Sequence, residues 1–436
     1  MKIEVIEMNG KKGLVLGGGG ARGSYEVGVC MALKELGYTF DVVTGVSIGA
    51  LIGAIVVQDG VDRLVPWISN MRQSSLSNNL FVYPNQYNAK SFIRRDFNEF
   101  LEQFMKGGPD VSGLQNEYLK IFDYDAFQNA PVDFACLSFN LNQNKLVAFE
   151  KKNMGPEDFV PKLFSSTAYF PAYQLIRIGE DYYADGGYEQ TLPVDQCVKM
   201  GAEDLVVVDL AEPGEKVAKI STPHIRIRPL MKLHSVLDFE AKDMVPEMRE
   251  GYFETLKYLD QAPGYLYTFF EEDWKLMQRV EKACLKLLLR EGRIGMLTQF
   301  NDAMEMVYDY FLHFQPQPLK NKYSDDYIVG RLLEVLGILC NIPMERQYHF
   351  KDFLRLILAH FNHFYEDPNK VEYPWRFEAM ERKGVQDYVV FFHSALLYFH
   401  GSLPPAFDCM KEKFAPCFYV AQAWRVMETT QILLEL

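Results

Sequence analysis

Twice within its first 57 residues, the chain runs a short apolar segment into glycines and then into a helix-like stretch. Gly13–Leu16 enters Gly17-Gly18-Gly19-Gly20-Ala21-Arg22-Gly23, and Asp41–Thr44 enters Gly45-Val46-Ser47-Ile48-Gly49. Short apolar runs bounded by turn residues read as strands buried on both faces. Between them, Gly23–Leu36 carries apolar residues at Val27, Met31 and Leu33 and is followed by Gly37, the mark of a helix and its C-cap. Ile48–Val57 is too short to span a membrane and reads as a buried helix. Strand, glycine loop and helix, repeated, is the alternation of an α/β domain built on a parallel sheet.

Further along, 76–87 reads as a polar and aromatic loop, and 89–105 as an amphipathic helix stopped by Gly107-Gly108-Pro109. Val132–Asn140 and Lys145–Glu150 flank an Asn-rich turn and predict a hairpin. Pro156–Ser165 predicts a short helix, Asp204–Leu210 a core strand and His224–Pro229 another. Beyond about Ser235 the apolar period lengthens. Glu272–Arg290, Leu297–Phe314, Tyr327–Leu339 and Phe350–Phe364 all predict helices. With 436 residues, two domains are expected, an α/β domain over 1–260 and a helical one over 261–436.

Charge narrows the partners. Forty-five basic residues against 58 acidic ones give a net charge of −13, with no basic stripe, so no nucleic-acid partner is expected. Docking on anionic lipid by charge alone is disfavoured too, which leaves peripheral membrane contact to apolar surface. The seven cysteines are scattered and never form a CxxC pair, so neither a disulfide framework nor a zinc site is expected. His360 and His363 share a helix face but have no third ligand nearby, so no metal is expected. The N-terminus has no apolar signal core, and a cytoplasmic location is the expectation. Oligomeric state is not readable.

Three segments carry chemistry. A serine between a strand and a helix, flanked by Gly45 and Gly49, can project its hydroxyl from a strained turn, and the helix N-terminus favours negative charge there. The plain alternative is a capping serine. The glycine run Gly17–Gly23 exposes backbone amides at a helix start, which suits an oxyanion or a phosphate. Gly18, Gly20 and Gly23 also satisfy the dinucleotide fingerprint, although no acidic residue ends the second strand as that motif requires. A purely structural turn remains open. All eight histidines lie at or after His224, so the α/β portion lacks the usual base of a serine hydrolase. Asp185-Gly186-Gly187, after the apolar Tyr182-Tyr183-Ala184, offers a carboxylate at a tight turn; an ordinary Asp-Gly turn is the alternative.

Taken together, the ordered motifs resemble those of the patatin-like phospholipases. Gly18-Gly19-Gly20-Ala21-Arg22-Gly23 resembles that family's oxyanion loop, Gly45-Val46-Ser47-Ile48-Gly49 its nucleophile elbow, and Asp185-Gly186-Gly187 the turn bearing its base. Ser166-Thr167-Ala168 followed by Phe170-Pro171 is similar to the stretch that precedes that turn. The resemblance covers about Lys11 to Asp260 and implies a three-layer α/β/α domain with a mainly parallel central sheet, followed by an all-helical C-terminal region. It implies a lipid acyl hydrolase of phospholipase A or lysophospholipase type, using a Ser47–Asp185 dyad without histidine, on a lipid or other acyl-ester substrate and with no cofactor. One departure is Thr191, which stands where the family has asparagine, before Leu192-Pro193-Val194. Arg22 either fixes the loop in a salt bridge or meets a lipid phosphate. Leu80, Phe81, Tyr83 and Tyr87 are candidates for an acyl groove. Two other functions stay open: a nucleotide-binding enzyme with the Gly18–Gly23 loop as phosphate cradle, and a catalytically silent interaction protein on the patatin fold.

Overall fold

The computed structural model describes residues 10–72, 74, 112–170, 172–215, 217–290, 297–366 and 384–429. The expected 76–87 loop, the whole 89–105 helix and its stop, and the proposed groove residues Leu80, Phe81, Tyr83 and Tyr87 lie outside them. The chain divides into two compact units, Met1–Thr255 and Leu256–Leu436.

The first unit is built on an eight-stranded mixed sheet in the order β5-β6-β3-β2-β1-β7-β8, with β4 also paired to β3. Its strands are β1 (Lys12–Leu16), β2 (Val42–Val46), β3 (Asp133–Asn140), β4 (Lys145–Glu150), β5 (Ile176–Ile178), β6 (Asp181–Asp185), β7 (Asp204–Val208) and β8 (His224–Ile227). The centre, β3-β2-β1-β7-β8, is parallel, while β4, β5 and β6 add antiparallel pairings.

Helices cover both faces, which is why the central strands are apolar throughout. Helix α1 is Gly23–Glu35 and α2 is Ile48–Val57. At Gly53, α2 lies against Val43, Phe134 and Leu16. The alternate residues Val15, Val42, Leu205 and Val207 form a second core with Cys197 of Val194–Lys199, on the opposite face. Three layers result. The connections hold further helices at Val61–Ser69, Ser112–Leu119, Tyr124–Asn129 and Phe159–Ser165, and a long one, the closing helix, at Ala241–Tyr258.

Strand β3 organises one end of the sheet. Its residues Ala135–Leu137 pair with both β2 and β4, and Ser138–Asn140 pair with both β6 and β4. Strands β2 and β6 therefore share one edge of β3, end to end. Val46 closes β2 opposite Leu137, and Asp185 closes β6 opposite the next residue, Ser138.

The second unit is mainly helical, with helices at Trp274–Arg290, Leu297–Leu312, Arg331–Leu339, Phe350–Glu366, Val385–Tyr398, Asp408–Lys413 and Ala415–Thr429. It carries in addition a parallel pairing of Thr268–Phe269 with Gln347–Tyr348. Its turns are pinned by buried carboxylates. Glu334 accepts the amides of Tyr265, Leu266 and Tyr267, and Glu281 those of Ile328, Val329 and Gly330. Among the described residues, no helix is long and apolar enough to cross a membrane.

Candidate active site

Ser47 follows directly on β2 and precedes α2 with φ 56° and ψ −128°, a region that a residue with a side chain occupies only under strain. The flanking glycines make the turn sterically feasible. A Cβ on Gly45 would sit 2.3 Å from the Gly49 carbonyl oxygen, and one on Gly49 would sit 2.5 Å from the Gly17 oxygen. The backbone is held by Ser166. Its buried hydroxyl accepts from the Ser47 amide at 2.9 Å and donates to the Leu137 carbonyl at 2.6 Å.

The Ser47 hydroxyl donates to Asp185 Oδ2 at 2.6 Å across 138 residues of sequence. The other carboxylate oxygen accepts from the Gly187 amide at 2.7 Å. Asp185 is only 3% exposed. Burial pushes its carboxyl up to about 6, against the lowering effect of its bonds to Ser47 and Gly187. The value suits a group that must ionise near neutrality and then take up a proton. Gly186 gives its turn the room to form, since a Cβ there would meet the Leu137 carbonyl oxygen at 2.4 Å.

Beside this pair runs the glycine loop, and most of its amides are already committed. Gly17 donates to the buried Glu26 at 2.7 Å, Gly18 to the Thr191 carbonyl at 2.9 Å, Ala21 to the Val236 carbonyl at 2.9 Å and Arg22 to Gly19 at 3.2 Å. The Gly23 amide turns back to Gly20 and Ala21. Among the described residues this leaves the amides of Gly19 and Gly20 without an acceptor. Of the Gly18–Gly23 loop expected to form an oxyanion hole, two amides are thus open among the described residues. The turn into α1 and the Thr191 and Val236 carbonyls engage the amides of Gly18, Ala21, Arg22 and Gly23. Arg22 pairs with Glu212, and its Nε donates to the His234 carbonyl at 2.7 Å, which is the loop-fixing alternative.

Ser47, Asp185, Gly18, Gly19 and Gly20 share one cavity of about 360 Å³, walled by Tyr169, Tyr173, Tyr188, Thr191, Val236 and Leu237. Among the described residues, no Lys, Arg or His stands in that lining. Tyr169 and Tyr188, 43% and 52% exposed, stack at 5.5 Å at its rim. Tyr173 is buried, and its hydroxyl has no partner among the described residues; burial keeps it neutral. Sequence reasoning missed the three tyrosines, the Val236–Leu237 wall and the part played by Ser166. Of these, Ser166 and Tyr169 lie in a stretch that the motifs single out, residues 166–171. The wall arrives from a coil 189 residues after Ser47 with no motif to announce it. No group of three or more His, Cys, Asp or Glu side chains suited to a metal occurs among the described residues.

Over residues 14–198 the chain matches the family model described as patatin-like phospholipase. Over 208 residues it is 27% identical to neuropathy target esterase sws of Drosophila melanogaster, covering 47% of this chain and 13% of that protein. It is 26% identical over 225 residues to lysophospholipase NTE1 of Meyerozyma guilliermondii, covering 50% of this chain and 14% of that protein. The match thus spans less than a fifth of the length of these relatives. Among solved structures, VipD from Legionella pneumophila aligns over 96% of this chain and 90% of its own, with 11% identity and a TM-score of 0.32. ExoU of Pseudomonas aeruginosa, in complex with SpcU, aligns over 95% and 90% with 13% identity and a TM-score of 0.29.

Proposed function

We propose that the first unit is a serine acyl hydrolase acting on lipid acyl esters, of phospholipase A or lysophospholipase type. Ser47 is the nucleophile, Asp185 its base, and the amides of Gly19 and Gly20 the oxyanion hole. The observation that carries this reading is the 2.6 Å contact between the Ser47 hydroxyl and a buried carboxylate, in a cavity that also holds two amides without an acceptor among the described residues.

In the acylation half, Ser47 Oγ attacks the ester carbonyl carbon while its proton passes to Asp185 Oδ2. The carbonyl oxygen takes the negative charge and faces Gly19 and Gly20; each such donor is typically worth about 3 kcal/mol. Collapse of the tetrahedral intermediate breaks the bond to the alcohol, which leaves with the proton from Asp185. In the second half a water gives its proton to Asp185, attacks the acyl-serine and releases the acid; the proton then returns to Ser47. No histidine takes part in either half.

The phosphate-cradle alternative draws less support. Four of the loop amides are used internally, and the described cavity lining holds no cationic side chain for a nucleotide's phosphates. A reducing compartment such as the cytoplasm is supported by the six described cysteines, all unpaired. The test is hydrolysis of p-nitrophenyl esters of increasing chain length, with fluorophosphonate labelling. Wild-type protein should turn over and be labelled at Ser47, and Ser47→Ala should do neither. Hydrolysis undiminished in Ser47→Ala would refute the assignment.

A further inference from the structure

One wall of the cavity, Val236 and Leu237, belongs to a coil, residues 234–238, between β8 and the closing helix. This strap is joined to the glycine loop at two points. The Val236 carbonyl accepts the Ala21 amide at 2.9 Å, and the His234 carbonyl accepts Arg22 Nε at 2.7 Å. Gly20, at φ +57°, fits beneath it so closely that a Cβ would lie 2.1 Å from the Val236 oxygen. Strap and loop therefore move together, and Gly20 carries one of the two open amides.

The side chain of His234 adds two further ties on the strap. Its Nε2 lies 2.7 Å from the Asp238 carbonyl oxygen, and its Nδ1 lies 2.5 Å from Glu247 Oε2 on the closing helix, an ion pair rather than an aligned hydrogen bond. A carbonyl and a carboxylate only accept, so both ring nitrogens must carry hydrogen for both contacts to be favourable. That is the imidazolium. The Glu247 carboxylate also accepts the His234 amide at 2.5 Å and the Ser24 hydroxyl at 3.2 Å. The other charged groups around the ring are the Asp238 carboxylate and, through the backbone, Arg22 with its partner Glu212.

We propose that His234, as the imidazolium, is a positioning residue that ties the 234–238 strap down and so holds the Gly19 and Gly20 amides in register with Ser47. Burial lowers the affinity of the ring for its proton, but the Glu247 carboxylate beside Nδ1 and the Asp238 carbonyl and charge outweigh this, so the group titrates above its usual range. A raised value stabilises the tied form at low pH and is lost as pH rises through the folded value. The strap slackens on the alkaline side, whereas Asp185 needs ionisation on the acid side, near pH 6. The two groups together give the site a bell-shaped profile in which histidine governs one limb without entering the chemistry.

This inference rests on the hydrolase reading for its kinetic arm and carries a second arm that does not. The kinetic arm measures kcat and KM for a short soluble p-nitrophenyl ester from pH 5 to 10 in wild type, His234→Gln and Glu247→Gln. In wild type kcat should fall about tenfold or more across the alkaline limb, with KM nearly constant, because oxyanion donors act mainly in the transition state. His234→Gln should flatten that limb at a reduced plateau, and Glu247→Gln should move it toward acid. The second arm follows hydrogen exchange of peptides covering 17–23 and 230–240, corrected for intrinsic base catalysis. A rise in wild type over the same interval, absent in His234→Gln or moved toward acid in Glu247→Gln, supports the latch. If His234→Gln fails to fold, Glu247→Gln decides both arms. An alkaline limb identical in wild type and both variants overturns the proposal while leaving the hydrolase intact. Absence of any Ser47-dependent turnover overturns the hydrolase, and the exchange arm then decides the latch alone.

Discussion

Replacing Asp185 by asparagine should make the protein more stable while removing its activity. The side chain is 3% exposed, and burial lifts its carboxyl from 3.8 to about 6. At 1.36 kcal/mol per pH unit, keeping it ionised at pH 8 costs the fold about 3 kcal/mol, as an upper bound. The unfolded chain releases that proton at the ordinary value, so the folded state binds more protons between about pH 4 and 6, and stability falls as pH rises through that window. Asparagine titrates in neither state. It retains an oxygen for the Gly187 amide and a polar group for Ser47. Asp185→Asn should therefore gain up to about 3 kcal/mol at pH 8 and almost nothing at pH 4. Turnover should fall by about 10² to 10⁴, the usual range for losing a general base. Urea unfolding at the two pH values, followed by fluorescence, reads the first effect, and ester hydrolysis the second. Intact mass must be checked in parallel, because asparagine before Gly186 can deamidate back to the acid. A variant that is equally stable at both pH values, or that retains turnover within tenfold, would break the link between burial and base strength.

The strained turn and its supports give further expectations. Ser47→Gly and Ser47→Ala both lose the nucleophile, but only glycine is at ease at φ 56°, so the glycine variant should unfold at higher urea, by about 1–2 kcal/mol; equal midpoints would remove the strain argument. Ser166→Ala removes the acceptor of the part-buried Ser47 amide and a donor to the Leu137 carbonyl, which should cost about 1–3 kcal/mol and reduce kcat as well, measured by unfolding and by ester hydrolysis. In wild type the acid limb of kcat/KM should rise through about pH 6 as Asp185 ionises, and a limb near pH 4 would contradict the buried carboxylate. Gly20→Ala should lower fluorophosphonate labelling at Ser47 more than global stability, because its methyl would meet the Val236 oxygen and displace the strap.

Much of the first unit is legible in the sequence because its elements are fixed by local rules. Two apolar runs entering glycines predict β1 and β2, and both appear within two residues of the expected bounds. The 132–150 hairpin likewise appears as β3 and β4. Which amides of the glycine loop are available is not legible. That depends on the Thr191 and Val236 carbonyls, which are backbone groups contributed by distant coils, and a backbone carbonyl leaves no trace in residue identity. The same holds for His234. A lone histidine in a coil carries no motif, and only the placement of an acceptor at each ring nitrogen gives it a role. Residue type signals chemistry where a side chain acts, and is silent where main chain does.

The juxtaposition of Ser47 with Asp185 follows from sheet topology more than from either motif. Strand β3 is eight residues long and offers one edge to two partners in succession, β2 in parallel and β6 antiparallel. Because they approach from opposite directions, their C-terminal ends converge opposite the neighbouring residues Leu137 and Ser138. Adjacent residues on one strand are about 3.3 Å apart, so whatever follows Val46 must lie close to whatever ends β6. An elbow at the first end and a tight turn at the second then suffice to bring a hydroxyl to a carboxylate. Ser166 ties the elbow amide to the Leu137 carbonyl at that junction. The pairing of Ser47 with Asp185 is thus registered by β3 itself, and slipping β6 by two residues along it would displace Asp185 by about 7 Å with both motifs intact.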